Sequence, residues 1–558
     1  MNLEEKLKQD IYEILKEYIS YEDIVIEKPK VRSMGDYAIP CFVYSKQLKK
    51  SPNDIALFIK DKLTNYKIEV LNGYVNVFID RKDYTGKLLD KIIDEKENYG
   101  NSNIGDDKIV VLEYSSPNIA KPFSVGHLRS TVIGEALKNI NIKTGYKVYT
   151  INYLGDYGTQ FGKLIYAYKT WGNEEEVRKN PIAELKKLYV KFHELASLDP
   201  TLDDEGRNWF KKLSLNDKEA VELWSWFKEE SLKDFQRTYD LLGINKFDSY
   251  DGEYKYKDLS NDVVKMIEEK GISKISDGAT IVDLGDDKTP ALIKKSDGTT
   301  LYITRDIAAL LDRKQKYNFD EILYIVGSEQ TLHFEQLKDV IDKMGYDFSD
   351  KIKHIGFGLV LQDGKKMSTR AGKTASLNAL LNNSIDLAKD IIESKNPNLQ
   401  NKEEIAKQVG VGAVIFNDLK NYRLNDIEFK LEDILKFEGS TGPYVQYTHA
   451  RINSLIKNIR NIDINYDNIN INDNEWYVIF KLGEFEKIVV KSKVNYDPSL
   501  LAKYMIDLAQ EFNKLYSNYK FVDEDKNLSE YRLKIAMCSG IVLKEGMRLL
   551  GISMPDEM

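Results

Sequence analysis

Apolar residues in the first hundred positions switch between two periods. Leu3 to about Tyr18 repeats every three to four residues, which predicts an amphipathic helix. VIEKPKVRSMGDYAIPCFVY then reads as extended, and a second helix is expected near Asp54–Leu63. YKIEVLNGYVNVFID alternates apolar and polar residues around Asn72-Gly73, as a half-buried strand pair does. A third helix, about Tyr84–Asn98, runs into the polar stretch NYGNSNIGDD, a domain boundary near residue 105. The pattern then changes. IVVLEY is a continuous apolar run, suited to a strand covered on both faces. A loop, the helical stretch HLRSTVIGEALKNINIKTG and a second strand, KVYTINYLG, complete a β-α-β unit. From about 171 to 275 the periodicity is helical and heavily charged, an insertion in the sheet domain. Strand signals return in ATIVDLG, ALIKKSDGTTLYIT, EILYIVG and HIGFGLVLQ, and the chain reads as helix from about 376 to the end.

These patterns predict an α/β protein. A Rossmann-type parallel-sheet domain (106–375) carries the helical insertion and a basic loop at 365–373. An N-terminal α+β domain (1–105) precedes it. A helical connection (376–438) and an all-α C-terminal domain (439–558) follow. Three or four domains suit 558 residues at about 100–200 residues each. Apolar residues form 42% of the chain and charged residues 30%, so a buried core is readily built. Formal net charge is −8, so a polyanion would have to be met by local basic surfaces drawn from the 81 Lys and Arg. Cys41 and Cys538 are the only cysteines, which excludes a disulfide framework or a cysteine-rich zinc site and fits a reducing cytoplasm. No uninterrupted apolar stretch of about 18 residues occurs, so no membrane span is expected.

Two stretches carry chemistry. In SSPNIAKPFSVGHLRS a loop leaves a buried strand and enters a helix, where free N–H groups and the helix dipole favour an anion. Gly126 permits close approach to the backbone, His127 can donate to a phosphate oxygen, and Lys121 adds a mobile charge. A capped tight turn is the plainer reading. Neither GxxxxGK[ST] nor GxGxxG is present. In GKKMSTRAGK, Lys365, Lys366, Arg370 and Lys373 stand between and beside Gly364 and Gly372. Such a loop can close over a triphosphate and stabilise departing pyrophosphate; alone, it is more often a solvated charged loop.

Taken together, these stretches resemble the "HIGH" and "KMSKS" boxes of class I aminoacyl-tRNA synthetases. The flanking VLEYSSPNIAKPFSVGHLRSTVIGEAL, NYLGDYGTQFG, LYITRDIAAL, GSEQTLHFEQL, GLVLQDGKKMSTRAG and EGSTGPYVQYTHARI resemble the arginyl-tRNA synthetases, in family order and along essentially the whole chain. Ser124 stands where the first box has its first histidine, and Thr369 where the second box has its second lysine. Lys121 is the family's substitute cation.

The resemblance implies ATP-dependent attachment of L-arginine to its cognate tRNA through arginyl-adenylate. ATP would be a substrate, with Mg²⁺ bound through it, no zinc, and a monomeric protein. It implies catalytic roles for Lys121, Ser124, His127, Lys366 and Arg370. Pro117, Ser124, Gly126, His127, Gly327, His333, Lys366, Met367 and Ser368 would contact ATP. A guanidinium is flat and permanently charged, so its pocket needs carboxylates and an aromatic face. Glu113 and Asp306 with Tyr302 fit, Tyr302 and Asp306 sharing a face if their segment is helical. A strand-end carboxylate and a helix-face ion pair are the plainer readings of the two acids. Ser115, Asn118 and Gln330 complete the implied arginine site. Asn76 in the N-terminal domain and Tyr444 and Tyr447 in the C-terminal domain are implied tRNA contacts, Tyr504 being a further candidate. His193, His354 and His449 read as packing residues. A synthetase for lysine and a catalytically silent tRNA-binding paralogue, the latter suggested by Ser124, are the competing functions.

Overall fold

The computed structural model describes residues 3–121, 123–362, 364–366, 376–457 and 462–558, with the side chains of Gln362, Lys365 and Lys366 left aside. Two compact units result. One holds Met1–Gly100, Arg451–Lys487 and Asp507–Leu543; the other holds Asn101–Ala450, Ile488–Ile506 and Lys544–Met558. Residues expected as one C-terminal domain from 439 onward are thus shared between the units.

In the first unit, strands β1 (Tyr37–Pro40), β2 (Lys67–Leu71) and β3 (Tyr74–Phe78) form an antiparallel sheet in the order β1-β3-β2. Helix Leu3–Leu15 is shorter than its pattern suggested. It buries Leu7, Ile11 and Leu15, one residue per turn, in a core with Ile55, Ile59, Val75 and Val77. The second helix, Pro52–Lys62, starts at Ser51, whose side chain accepts from the Asp54 N–H, and has proline at its first position. Helix Asp473–Leu482 and, as far as Leu543, helix Lys526–Leu549 show the all-α character expected beyond 439.

The second unit contains β4 (Ile109–Glu113), β5 (Lys147–Ile151), β6 (Ser273–Ser276), β7 (Ala279–Val282), β8 (Ala291–Lys294), β9 (Glu321–Tyr324), β10 (Ile352–His354), β11 (Val360–Gln362), β12 (Lys365–Lys366) and β13 (Ile427–Glu428). Its central sheet runs β10-β9-β4-β5 and every pairing in it is parallel. From β4 the chain crosses by helix Leu128–Lys143 to β5 on one side. From β9 it crosses by helix Thr331–Lys343 to β10 on the other. The strand order therefore reverses between β4 and β9, and the crevice beyond their C-terminal ends is where an open α/β sheet takes its ligand. Glu113 ends β4, and Gly327 follows β9 closely.

The charged insertion folds as helices Thr159–Trp171, Glu174–Lys179, Pro181–Ala196, Thr201–Ser214, Lys218–Leu242 and Leu259–Glu269. Two expectations fail locally. LYIT, read as strand, opens helix Tyr302–Tyr317, because Ile303 and Ile307 pack into the core and the Thr304 hydroxyl donates to the Ile293 carbonyl at 2.7 Å. Within 376–438, otherwise helical, β13 pairs in parallel with β11.

Candidate active site

The loop after β4 is held in a demanding conformation. Ser115, Ser116 and Ala120 all have positive φ, at 72°, 46° and 57°. Side chains from other elements fix it. The Ser115 N–H donates to Ser130 Oγ (2.9 Å), its hydroxyl meets Tyr239 Oη (2.8 Å), and Ala120 N–H donates to Ser231 Oγ (2.8 Å). The Pro117 carbonyl accepts from the Gly155 N–H, and the Asn118 side chain lies so close to Gly155 that a Cβ there would collide with its Oδ1.

At the helix entry, Ser124 and His127 form a capping box. The Ser124 N–H donates to His127 Nδ1 at 3.1 Å, and the Ser124 hydroxyl lies 3.0 Å from the same nitrogen. With Nδ1 accepting, the ring proton of neutral His127 sits on Nε2, available to an anion. Burial pushes His127 down to about 4, so it is neutral at physiological pH. Ser124 thus orients the histidine through its backbone and hydroxyl. Lys121 is half-buried, its pKa lowered by desolvation, with its ammonium 5.9 Å from the Tyr189 ring.

A cavity of about 380 Å³ opens beside this entry, lined by Gly126, Arg129, Gly327, Ser328, Phe357 and Gly358 among others. Gly126 and Gly327, the two glycines expected at the nucleotide, both border it. One wall is fixed by Arg129, whose Nε donates to both Asp418 carboxylate oxygens and whose Nη1 donates to the Asn425 carbonyl at 2.7 Å. Met367, Ser368 and Arg370 lie outside the described residues, and for Lys366 the backbone alone is described, paired with Leu361 in the β11–β12 hairpin. The chain re-emerges at Ser376, which is bridged to Ser124, and Leu377 N–H donates to the Phe123 carbonyl at 2.9 Å. The exit of the basic loop is therefore tied by backbone to the start of the helix that bears His127.

Beyond the ends of β4 and β9 lies an ionic slot. Tyr302 and Asp306 share one face of helix Tyr302–Tyr317, and Tyr302 is 61% exposed. His333, expected at the nucleotide, is not among the residues lining the cavity; its Nε2 stands 2.7 Å from Asp306 Oδ2 instead. Glu113 is buried against Arg313 at 2.5 Å, and Glu253 meets Arg305 at 3.2 Å. Desolvation raises Glu113 despite the opposing pull of Arg313, and pushes Glu253 up to about 7. Gln330 is exposed at the end of the turn Ser328–Gln330.

Other candidates lie elsewhere. Asn76 is buried on β3, opposite Ala38 and Glu69, in the first unit. Tyr444 and Tyr447 lie on helix Gly442–Ile456; Tyr447 is exposed, its ring edge-on to Phe437, and Tyr504 is buried. His354 donates from Nε2 to the Val326 carbonyl at 3.0 Å and His449 from Nδ1 to the Pro555 carbonyl at 3.1 Å, as packing residues do. Sequence reasoning missed Arg129, Asp418, Glu253, Arg305 and Arg313. All are ordinary helix or turn residues whose partners are distant in the chain, apart from the proximity of Arg305 and Arg313 to Asp306. Among the described residues, no group of three His, Cys, Asp or Glu is arranged to hold a metal, and no helix is long and apolar enough to cross a membrane.

Comparison with known proteins agrees with this geometry. The family model for class I (R) tRNA synthetase catalytic domains matches residues 88–431. Those for the DALR anticodon-binding domain and the arginyl tRNA synthetase N-terminal domain match 445–558 and 1–79. Arginine–tRNA ligase 1 of Bacillus thuringiensis subsp. konkukian is 50% identical over 541 residues, covering 96% of this chain and 95% of that protein. The arginine–tRNA ligase of Ligilactobacillus salivarius is 49% identical with full coverage of both. Among solved structures, the Thermus thermophilus arginyl-tRNA synthetase superposes with a TM-score of 0.86 at 24% identity, covering all of both chains. The Plasmodium falciparum enzyme superposes with a TM-score of 0.82 at 26% identity, covering 99% of this chain and 98% of that one. Matched by the class I (R) catalytic model over more than half its length and half identical to arginine–tRNA ligases from end to end, the chain belongs to the arginyl-tRNA synthetases, a family of class I tRNA synthetases.

Proposed function

We propose that this arginine–tRNA ligase performs both of its steps in the crevice beyond β4 and β9. What supports this reading is that the loop leading to the anion-ready helix entry, with His127 Nε2–H available, leaves β4 directly after Glu113, which feels the charge of Asp306.

In the first step an arginine carboxylate oxygen forms a bond to the α-phosphorus of ATP, the bond to the bridging oxygen breaks, and pyrophosphate leaves with that electron pair. In the second, a hydroxyl of the terminal tRNA ribose attacks the arginyl carbonyl, loses its proton, and AMP departs. Neither step needs a covalent enzyme intermediate, so positioning and preorganised charge supply the acceleration. Asp306 takes the guanidinium and Tyr302 its face. Ser115, Asn118 and Gln330 orient the amino-acid end. His127 and Lys121 serve the α-phosphate, with Ser124 acting through His127, and Lys366 and Arg370 serve the leaving pyrophosphate. Mg²⁺ enters on the ATP oxygens as part of the substrate. Gly126 and Gly327 give the nucleotide close access to the backbone.

ATP–pyrophosphate exchange and tRNA charging test this. Arginine is expected to support both, with exchange requiring tRNA. Exchange driven by lysine or another amino acid, or neither reaction with arginine, overturns it. The silent-paralogue reading draws no support from Ser124, which holds His127 in place.

A further inference from the structure

Three carboxylates and two guanidiniums meet at the slot, and their pairing is unequal. Glu113 faces Arg313, their side chains 7% and 2% exposed, and Glu253 faces Arg305, at 15% and 9%. Asp306 is left over. Among the described residues His333 is its one hydrogen-bond partner, and both side chains are more open, at 23% and 22%. With His333 neutral and all three carboxylates ionised, the slot holds one negative charge in excess, and Asp306 is the carboxylate of the three that solvent reaches most readily.

We propose that His333 is a stand-in for the substrate guanidinium: it occupies Asp306 in the free protein, and its protonated form competes with arginine for that carboxylate. His333 is thus a positioning residue acting through Asp306, and it makes arginine affinity depend on pH. The proposal rests on the assignment of Asp306 to the guanidinium made above.

A neutral imidazole shares Asp306 through one N–H and yields without leaving a charge behind. An imidazolium cancels the excess charge, so an incoming guanidinium would make the slot net positive. Burial alone would depress the imidazole, but the bond to Asp306 and the charges of Asp306 and Glu113 outweigh it and hold His333 above its usual value. The other groups facing this pair are Glu113 on β4, Tyr324 on β9, Tyr153, Glu253 on its turn, Arg305 and Arg313 on the helix, and His354 on β10. Of these, Glu253 titrates in a similar range, so a variant must separate the two.

The test uses the full chain. The KM for arginine in tRNA charging is measured from roughly pH 5.5 to 8.5 for the unaltered protein and for His333→Gln, which keeps an amide donor and does not titrate. The unaltered protein should show KM rising as pH falls, by up to about tenfold per pH unit below the His333 pKa, and His333→Gln should lose most of that rise. In parallel, histidine-selective NMR resolves the chain's five imidazoles. The resonance absent from His333→Gln should titrate above the usual histidine range and move to lower pKa when arginine is added. A flat KM profile, an unchanged profile in His333→Gln, or an imidazole indifferent to arginine overturns the inference. If His333→Gln fails to fold, the arginine-induced shift of the one high-pKa imidazole decides alone. Failure of arginine to be charged at any pH would instead sink the functional reading itself.

Discussion

Arg129 Nε lies 3.4 and 3.2 Å from the two carboxylate oxygens of Asp418, and both side chains are 1% exposed. The pair ties the helix bearing His127 to helix Lys402–Leu419, and its arginine sits in the wall of the cavity beside Gly126. Burial pushes the Asp418 carboxyl up to about 6 against the pull of Arg129. Removing one partner leaves a buried, unmatched charge. Arg129→Met alone, or Asp418→Leu alone, should therefore cost about 3–5 kcal/mol, and the double variant clearly less than the sum. Denaturant midpoints of the three proteins check this; additive losses would show that the charges do not interact.

The Ser124–His127 box gives a pH prediction with a definite sign. Folded His127 titrates at about 4, below its ordinary 6.5, so between those values the unfolded chain holds a proton that the folded one lacks. Stability from this group is complete above pH 6.5 and is lost as pH falls towards 4. His127→Gln should flatten that part of the stability profile and lower kcat by about 10²–10³. Ser124→Ala should cost about 1 kcal/mol as a lost cap and lower kcat by disordering the ring.

Gly155→Ala probes the amino-acid end of the site. Its φ is not in the left-handed region, so backbone strain plays no part; the added methyl meets Asn118 Oδ1 directly. Displacing Asn118 should raise the arginine KM about tenfold, equivalent to about 1.4 kcal/mol, with a smaller change in the KM for ATP. Equal changes in both constants would point to a general loss of structure.

Arg313→Met should destabilise the protein by about 3–5 kcal/mol at neutral pH, because Glu113 is then buried without its cation. Desolvation already raises Glu113 with Arg313 present, and losing the arginine raises it further. A proton taken up on acidification removes the uncompensated charge. The deficit relative to the unaltered protein should shrink as pH falls, as thermal midpoints across pH would reveal.

What could be read in the chain follows the range of the interactions involved. The β4 strand was visible as IVVLEY because burial on both faces erases alternation, and the loop after it because its Pro, Gly and His stand within one turn of a helix start. LYIT misled because Ile303 and Thr304 favour strands locally, while their helical state is fixed by packing against β8 and the core around it. Ser124 looked like a defect in the first box; its pairing with His127, three residues on, was available in the spacing Ser-x-x-His. The partners of Glu113 and Arg129, 200 and 289 positions away, were not legible, since no local pattern encodes which buried charge meets which.

The unequal pairing in the slot has a bearing on analogues of the amino acid. Citrulline matches arginine in size and shape but is uncharged, so it would leave the Asp306 carboxylate desolvated and unmatched. Rejection of such a ureido isostere then falls to a single unsatisfied anion, with Arg313 and Arg305 ensuring that no second acid is left to tolerate a neutral guest.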